Sequence, residues 1–298
     1  MDNRSIRLEA GQLSANIAPA VGGALAGFFA GKLPLLRPAL RSGPYAGHPL
    51  GMACFPMVPF ANRIDRGRFS HAGRAVLIAR NVPERHPLHG HGWQSPWDVA
   101  AFDGRSTRLV FLDDRRWPWP YEASQEFTLE PDSLTITLTL HSLAAESFPA
   151  SLGLHPYFPR AGGASLEARC TRLWARDDSG IPTEAQSIPL RHDFGTASQV
   201  AGTDLDHCFD EWSGQAVVHW PPERAGLRIE ADDCRFLHVY SPGGEDYFCV
   251  EPMTARPDAF NPRADDRRPV PLVRPDESIS LTMRLYPLLE RRSRADDS

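Results

Sequence analysis

Short runs of alternating apolar and polar residues recur along the whole chain. Residues 134–140 alternate leucine or isoleucine with threonine, and residues 279–285 repeat this pattern near the C-terminus. A period of two is that of a β-strand with one buried face. Turn sequences such as Pro131-Asp132 and Pro242-Gly243-Gly244 separate the runs. Because no segment has the length and caps of an amphipathic helix, the pattern predicts an all-β sandwich or barrel.

The length of the chain fits one large β domain. All-β units commonly reach 298 residues without dividing, and no Gly/Ser-rich or Pro-rich linker interrupts the sequence. With 42% hydrophobic residues the chain can bury a substantial core. We therefore predict a single domain over residues 1–289. The remaining residues, 290–298, are nearly all charged or polar and are expected to fray.

Charge and cysteine content exclude several classes of protein. The net charge of -5 gives no electrostatic reason to expect nucleic acid or an anionic membrane as partner. The N-terminus lacks the apolar stretch of a signal peptide, and no apolar run reaches the roughly 18 residues of a membrane span, so we expect a cytoplasmic protein. The five cysteines form no CxxC pair, which argues against a disulfide framework or a zinc ribbon.

Two candidate catalytic residues lie in apolar segments beside prolines. His155 precedes a Pro-Tyr-Phe-Pro sequence, and because proline cannot donate to a central ladder, we expect the strand to end there with the imidazole open to a ligand. Glu251 follows the apolar run YFCV. Burial there would raise its pKa and make the carboxylate a stronger base. The alternatives are a packed histidine ring and a buried ion pair between Glu251 and Arg63 or Arg256.

Two charged residues are candidates for binding a ligand. Arg63 follows an apolar segment interrupted by prolines, although a surface ion pair is an alternative use for it. Asp206 precedes an apolar phenylalanine in TDLDHCF, where a turn carboxylate is the alternative. Of the 32 basic residues only Lys32 is a lysine, so a local group of arginines is weak evidence for phosphate recognition.

The segment HPLHGHGWQSPW contains three histidines, His86, His89 and His91, within six residues. Such a group can hold a metal, but the loose spacing on a Gly-rich loop and the lack of a completing Cys/Asp/Glu pattern favour hydrogen bonding or packing. Trp93 and Trp97 in the same segment suit a platform for a sugar ring, and core packing is the alternative.

Five motifs, in this order and at these separations, resemble the aldose 1-epimerase family, whose members are also called galactose mutarotases. The resemblance extends from a Gly-Gly turn at residues 22–23 to Asn261. The motifs are NRIDRGRF at 62–69, LHGHGW at 88–93, HPYF at 155–158, LDHCF at 205–209 and CVEP at 249–252. The family resemblance implies a large antiparallel β-sandwich, the galactose mutarotase-like supersandwich, with a sugar cleft on a concave sheet face.

The resemblance also implies roles for single residues. Glu251 is then the base that takes the proton of the anomeric hydroxyl, and His155 is the acid that protonates the ring oxygen. The other matching positions bind or line the sugar: Arg63, His89, Asp206, Tyr157 and Trp93. The reaction needs a base and an acid, which we expect on opposite sides of the ring, and requires neither a cofactor nor a metal. The expected partner is a small sugar, and the oligomeric state is left open.

The substrate is left open because the sequence departs from the galactose-specific members. Those members have an asparagine at the positions of Leu154 and Pro159. A hexose-6-phosphate 1-epimerase of the same fold is one alternative and would use Arg63, Arg66 and Arg68 on the phosphate. A glycoside hydrolase would use Asp206 and Glu251 as a carboxylate pair, which leaves His155 without a role. A sugar-binding protein without activity is the third alternative.

Overall fold

The chain folds almost entirely into antiparallel strands. The computed structural model describes residues 5–113, 115–200, 204–221, 225–232 and 234–289, so the predicted polar tail 290–298 lies outside the described residues. The strands, in chain order, are β1 Ile6–Ala10, β2 Leu13–Ala18, β3 Ala24–Ala30, β4 Leu33–Pro34, β5 Cys54–Met57, β6 Arg68–His71, β7 Arg74–Leu77, β8 Asp98–Phe102, β9 Ser106–Asp113, β10 Tyr121–Glu130, β11 Ser133–Ser142, β12 Phe148–Pro149, β13 Gly153–Pro159, β14 Ser165–Ala168, β15 Arg172–Arg176, β16 Pro182–Gln186, β17 Ser198–Gln199, β18 Leu205–Asp210, β19 Gln215–Trp220, β20 Ala225–Asp232, β21 Phe236–Ser241, β22 Tyr247–Met253, β23 Leu272–Val273 and β24 Ser278–Leu289.

Helical structure in these ranges consists of short 3₁₀ turns. They lie at Pro49–Gly51, Asp65–Gly67, Gly92–Gln94, Ala161–Gly163 and Leu190–His192. Within the same ranges, no helix is long and apolar enough to cross a membrane.

Two large sheets pack face to face. The first has 11 strands in the order β1-β2-β3-β5-β13-β22-β21-β18-β15-β16, with β4 beside β3. The second has nine strands in the order β17-β14-β19-β20-β24-β11-β10-β9-β8. Two small ribbons, β6-β7 and β12-β23, complete the pairing described here. The predicted all-β sandwich is confirmed.

The central strands of the first sheet are buried on both faces. On β13, Leu154 and Phe158 point into the hydrophobic core between the sheets, whereas His155 and Tyr157 point to the opposite face. That opposite face is covered by a second, smaller hydrophobic cluster that includes Phe55. Strands buried on both faces cannot alternate cleanly between apolar and polar residues, and the second face holds the polar groups described below.

The prediction that the strand ends at His155 is wrong. β13 continues to Pro159, and β22 continues two residues beyond Glu251. Between these two strands the ladder is interrupted opposite Pro156 and Pro252, which have no N–H to donate. Each strand keeps its other neighbour, because β13 pairs with β5 and β22 pairs with β21 through this region. The prolines therefore open a gap inside the sheet, and His155 and Glu251 lie at that gap.

A glycine allows the loop carrying His89 to lie directly on β5. Gly90 has φ +71, and a Cβ atom there would lie 2.0 Å from the carbonyl oxygen of Val58. The N–H groups of His91 and Gly92 donate to the same oxygen. Only glycine permits this approach without moving backbone, so Gly90 allows the loop that carries His89 to pack directly against the backbone at Val58.

We expect Gly90→Ala to lower the free energy of unfolding by about 2–5 kcal/mol, because left-handed strain and a backbone clash add together. Gly73→Ala is the matched control, since Gly73 has φ +75 but no atom within 4 Å of the added Cβ. The control should lose only the strain of about 1–2 kcal/mol. Urea denaturation measures both values, and equal losses would contradict the packing role of Gly90.

Candidate active site

The antiparallel register lines up a row of side chains across the first sheet. His155 lies opposite Phe55 of β5, and His238 of β21 lies opposite both Glu251 and Cys208. The pairs that flank the gap between β13 and β22 put His155 opposite Glu251 in the same way. Residues that face each other across strands share one face of the sheet. The row thus joins side chains from five strands, several of them far apart in sequence.

His155 and Glu251 are in direct contact at the centre of this row. The Nε2 atom of His155 lies 3.3 Å from Oε1 of Glu251, and both side chains are buried. The imidazole stacks on Phe55, with ring centroids 4.5 Å apart, and on Tyr157, at 4.8 Å. Stacking on two rings fixes its orientation. The catalytic pair predicted from the sequence is brought together in space.

Burial shifts both groups toward their neutral forms. Desolvation raises the pKa of Glu251 well above its usual range, with the charge of Asp206 adding to the shift. Desolvation, assisted by His238, lowers the pKa of His155 to about 3. Among the described residues, nothing donates a hydrogen bond to Oε2 of Glu251. Burial therefore favours the neutral pair, with the exchangeable proton on the carboxyl rather than on the imidazole, over the ion pair.

Asp206 has the opposite protonation behaviour although it lies close by. Burial alone would raise its pKa, but the hydrogen bond from His238 and the nearby charges of His238, Arg63 and Arg176 outweigh burial and lower it. Its Oδ1 atom lies 2.8 Å from Nε2 of His238. The cleft therefore contains two carboxyl groups whose pKa values are shifted in opposite directions, that of Asp206 downward by its partners and that of Glu251 upward by burial.

His89 reaches the cleft from a strained loop. His89 and Asn62 have φ +58 and φ +60, both in the left-handed region, and they bond to each other. The N–H of Asn62 donates to Nδ1 of His89, and the N–H of His89 donates to the carbonyl of Asn62. Burial lowers the pKa of His89 well below its usual range, so the ring is neutral. Because Nδ1 accepts a hydrogen bond, Nε2 carries the proton and is the donor.

The cleft has a volume of about 460 Å³ and includes six of the seven predicted site residues. They are Arg63, His89, His155, Tyr157, Asp206 and Glu251. Trp93 does not line the cleft, and this prediction is corrected. Its indole is fully buried behind Phe55, on which it stacks at 5.2 Å, and it donates to the carbonyls of Leu88 and Gly90. The tryptophan supports the floor of the site from inside the core.

The arginines considered for phosphate do not converge on the cleft. Arg63 lines it and pairs with Glu84 at 3.2 Å, but Arg66 and Arg68 are exposed and do not line it. Arg256, considered as an ion-pair partner of Glu251, instead bonds to Asp266 through two nitrogens. Glu251 therefore does not form the ion pair with Arg256 that was considered from the sequence, and its contact is with His155.

One group of side chains has the spacing of a metal site. The ligand atoms of His155, Cys249 and Glu251 lie within 4.8 Å of one another. Burial raises the pKa of the Cys249 thiol well above its usual range, as it does for the Glu251 carboxyl, and so favours the protonated forms, which bind metals poorly. This donor set does not favour a metal, and a metal-free reaction stays a prediction.

Among the polar cleft residues that the sequence analysis missed, His238 and Arg37 are buried. His238 interrupts the apolar strand β21 on the same face as Phe236 and Tyr240, and this break in period two is a signal that could have found it. Arg37 lies in a loop after β4 and lines the cleft, but one arginine among so many carries no signal in sequence.

His155→Gln should weaken the pH dependence of stability. The pKa of His155 is about 3 in the folded chain against 6.5 for an ordinary histidine. Between these values the unfolded chain binds a proton that the folded chain does not, so stability falls as the pH falls through this window. In the variant, we expect the slope of the free energy of unfolding against pH to be smaller by up to about 1.4 kcal/mol per pH unit. Urea denaturation over this range measures it.

His141→Gln, at a half-exposed histidine of β11, controls for the loss of an imidazole as such. Equal slopes for the wild type and His155→Gln would contradict the buried neutral imidazole.

Comparisons with known proteins agree with the geometry. The sequence pattern of the aldose 1-epimerase family matches residues 4–286. The chain is 33% identical over 247 residues to YphB of Escherichia coli K12, an uncharacterised protein, and the match covers 80% of this chain and 83% of YphB. A crystal structure of an Escherichia coli K12 protein, provisionally assigned as an aldose 1-epimerase, has a TM-score of 0.89 and 29% identity, covering 96% of this chain and 99% of that one.

A galactose mutarotase-like protein from Clostridium acetobutylicum shares the fold, with a TM-score of 0.86, 20% identity and coverage of 97% and 96% of the two chains. The family pattern thus extends over nearly the whole sequence, and each of the five motifs contributes at least one residue to the same cleft. The chain belongs to the aldose 1-epimerase family.

Proposed function

We propose that this protein interconverts the α and β anomers of a free aldose by opening and reclosing the sugar ring. The observation that supports it is the 3.3 Å contact between Nε2 of His155 and Oε1 of Glu251 in a sugar-sized cleft. Opening a hemiacetal removes one proton from O1 and adds one to O5. A pair that holds one exchangeable proton supplies both a base and an acid.

Ring opening starts from the ionised form of the pair. The carboxylate of Glu251 takes the proton of the anomeric hydroxyl, the C1–O5 bond breaks, and the imidazolium of His155 gives its proton to O5. A sugar hydroxyl against Glu251 supplies the hydrogen bond that Oε2 lacks among the described residues, and the charge of Arg63 also lowers the pKa of the carboxyl. Binding therefore favours the ionised form at the moment when a base is required.

Ring closure reverses the two transfers. With the open-chain aldehyde bound, Glu251 is protonated and His155 is neutral, which is the form that burial favours. Rotation about C1–C2 presents the other face of the carbonyl to the O5 hydroxyl. His155 then accepts the proton of O5, and Glu251 returns a proton to O1. No group is consumed, so the cycle requires no cofactor.

The pair need not flank the ring. O1 and O5 are both bonded to C1, so two neighbouring groups can reach them from one edge of the sugar. The direct contact between His155 and Glu251 fits this arrangement better than the expected placement on opposite sides. Arg63, the Nε2–H of His89 and the ionised Asp206 bind ring hydroxyls, and Tyr157 lines the cleft beside His155.

His155→Asn and Glu251→Gln should each lower kcat for mutarotation by about 10²–10⁴-fold, because each removes one proton-transfer group. Polarimetry on freshly dissolved α-glucose and α-galactose measures the rate against the uncatalysed reaction. The matched controls are His141→Asn and Glu126→Gln, at positions outside the cleft on β11 and β10. Wild-type rates in both catalytic variants would refute the assignment.

The pH profile of kcat/KM should be bell-shaped, with an acid limb well below pH 6.5. The acid limb reports the second proton added to the pair, and the pKa of His155 is lowered to about 3. The alkaline limb reports loss of the one shared proton and lies above the usual carboxyl range, because the pKa of Glu251 is raised. Rates measured from about pH 4 to about pH 9 test this. An acid midpoint at 6.5 would contradict the neutral pair.

A further inference from the structure

One buried arginine of the cleft carries its charge without an acidic partner. Arg37 is 7% exposed, and in the part of the chain that the structure describes its guanidinium bonds to the backbone carbonyls of Leu50 and Met52 rather than to a carboxylate. Burying a charge costs free energy that an ion pair would partly offset. The fold therefore gains little from this charge, and the contacts of the guanidinium indicate another use for it.

The guanidinium of Arg37 lies over two aromatic rings. Its central carbon is 3.9 Å from the ring centroid of Tyr157 and 4.5 Å from that of Tyr247. A planar cation is attracted to the face of a ring, and more strongly where both are desolvated. The backbone contributes as well, since the N–H of Arg37 donates to the carbonyl of Tyr157 at 2.8 Å. Tyr157 is thus held by both the main chain and the side chain of Arg37.

The same arginine fixes the segment that leads into β5. Its Nη2 atom donates to the carbonyl of Leu50 at 2.7 Å and to that of Met52 at 3.1 Å. These carbonyls lie in and directly after the 3₁₀ turn Pro49–Gly51, and β5 begins two residues beyond Met52. Arg37 therefore ties β13, through Tyr157, to the beginning of β5.

Both of these strands carry a ring that contacts the catalytic imidazole. The ring of His155 lies 4.8 Å from that of Tyr157 on β13 and 4.5 Å from that of Phe55 on β5. Among the described residues, nothing hydrogen-bonds to Nδ1 of His155. Its orientation therefore depends on the neighbouring rings. A displacement of either ring would move Nε2 relative to Oε1 of Glu251, which is 3.3 Å away.

The charge of Arg37 acts on the same imidazole. Burial is the largest cause of the low pKa of His155, followed by His238, and the positive charge of Arg37 lowers this pKa further. An imidazolium beside another cation releases its proton more readily. The titratable groups around the imidazole are Glu251 from β22, His238 from β21, Asp206 from β18, His89 from its loop and Arg37 itself.

We propose that Arg37 is a positioning residue for His155, which holds Tyr157 and the start of β5 against the imidazole. Its charge also favours release of the proton from His155 to O5 of the sugar. This inference rests on the proposed anomer interconversion, and it extends that proposal to a residue outside the five sequence motifs. Arg37 takes part in the reaction through His155 and transfers no proton itself.

Two substitutions separate the charge of Arg37 from its shape. Arg37→Gln removes the charge but keeps a donor for the carbonyls, whereas Arg37→Lys keeps the charge but lacks the planar fork that covers both rings. NMR follows protonation of the His155 imidazole from about pH 7 to about pH 3.5, with His155→Gln to assign the signal. Protonation should begin about 0.5–1 pH unit higher in Arg37→Gln and at the wild-type pH in Arg37→Lys. The same onset in Arg37→Gln and the wild type overturns the role of the charge.

Polarimetry on glucose and galactose measures the positioning. Both substitutions should lower kcat about tenfold and leave KM within about twofold, because the imidazole is misplaced while the groups that bind ring hydroxyls are unchanged. Arg228→Gln is the matched control, since Arg228 lies 4.5 Å over the ring of Tyr286 on the other sheet, and it should keep the wild-type kcat. A higher KM with an unchanged kcat would mean that Arg37 binds the sugar directly, which overturns the inference.

A double-substitution cycle tests whether the positioning runs through Tyr157. In a Tyr157→Leu background, which lacks the ring that Arg37 covers, Arg37→Lys should cost less than about twofold in kcat. Equal losses with and without the tyrosine overturn this route. The urea midpoints of both Arg37 variants should stay near that of the wild type, because an unpaired buried charge adds little stability. A loss of kcat explained by partial unfolding would also overturn the inference.

The NMR titration requires no turnover, so the two proposals fail separately. A wild-type protein that is inactive on every aldose tested overturns the proposed function. An active protein in which Arg37→Gln changes neither kcat nor the titration of His155 overturns the role of Arg37 alone and leaves the proposed function intact.

Discussion

The contact between the imidazole of His155 and the carboxyl of Glu251 is the constraint around which the cleft is built. Neither group is held by a loop. Both project from central strands whose neighbours fix them, and the ladder is open between them because Pro156 and Pro252 lack an N–H. A pair held by sheet register keeps its geometry better than one carried on mobile loops, and proton transfer depends strongly on such geometry.

Burying two ionisable groups together is costly unless they are neutral or share a proton. Here burial raises the pKa of Glu251 and lowers that of His155, and both shifts favour the neutral pair with one exchangeable proton. Asp206 shows that the same cleft can keep a carboxylate ionised when a histidine and two arginines surround it. The difference between the two carboxyl groups comes from their partners, since both lie in the same cavity.

The fold shows where Leu154 and Pro159 lie, the two positions at which the motifs differ from those of galactose-specific members. Leu154 points into the core between the sheets and is 1% exposed, so this residue does not face the cleft. Pro159 lies opposite Tyr247 at the far end of β13. The end of the cleft formed by Arg37, Tyr240 and Tyr247 lies outside the five motifs.

The period-two pattern and the turns between runs determined the all-β class. The five motifs determined the family, and six of the seven site residues predicted from them line the cleft. Local sequence could not determine where His155 lies in its strand, because neighbouring strands keep a proline-containing segment extended. It could not determine that Trp93 is buried behind Phe55, since an indole suits a core and a sugar platform equally. Register across strands remote in sequence decided the His155–Glu251 contact and the position of His238 opposite Glu251, because hydrogen-bonded pairing between distant segments is a property of the tertiary fold alone.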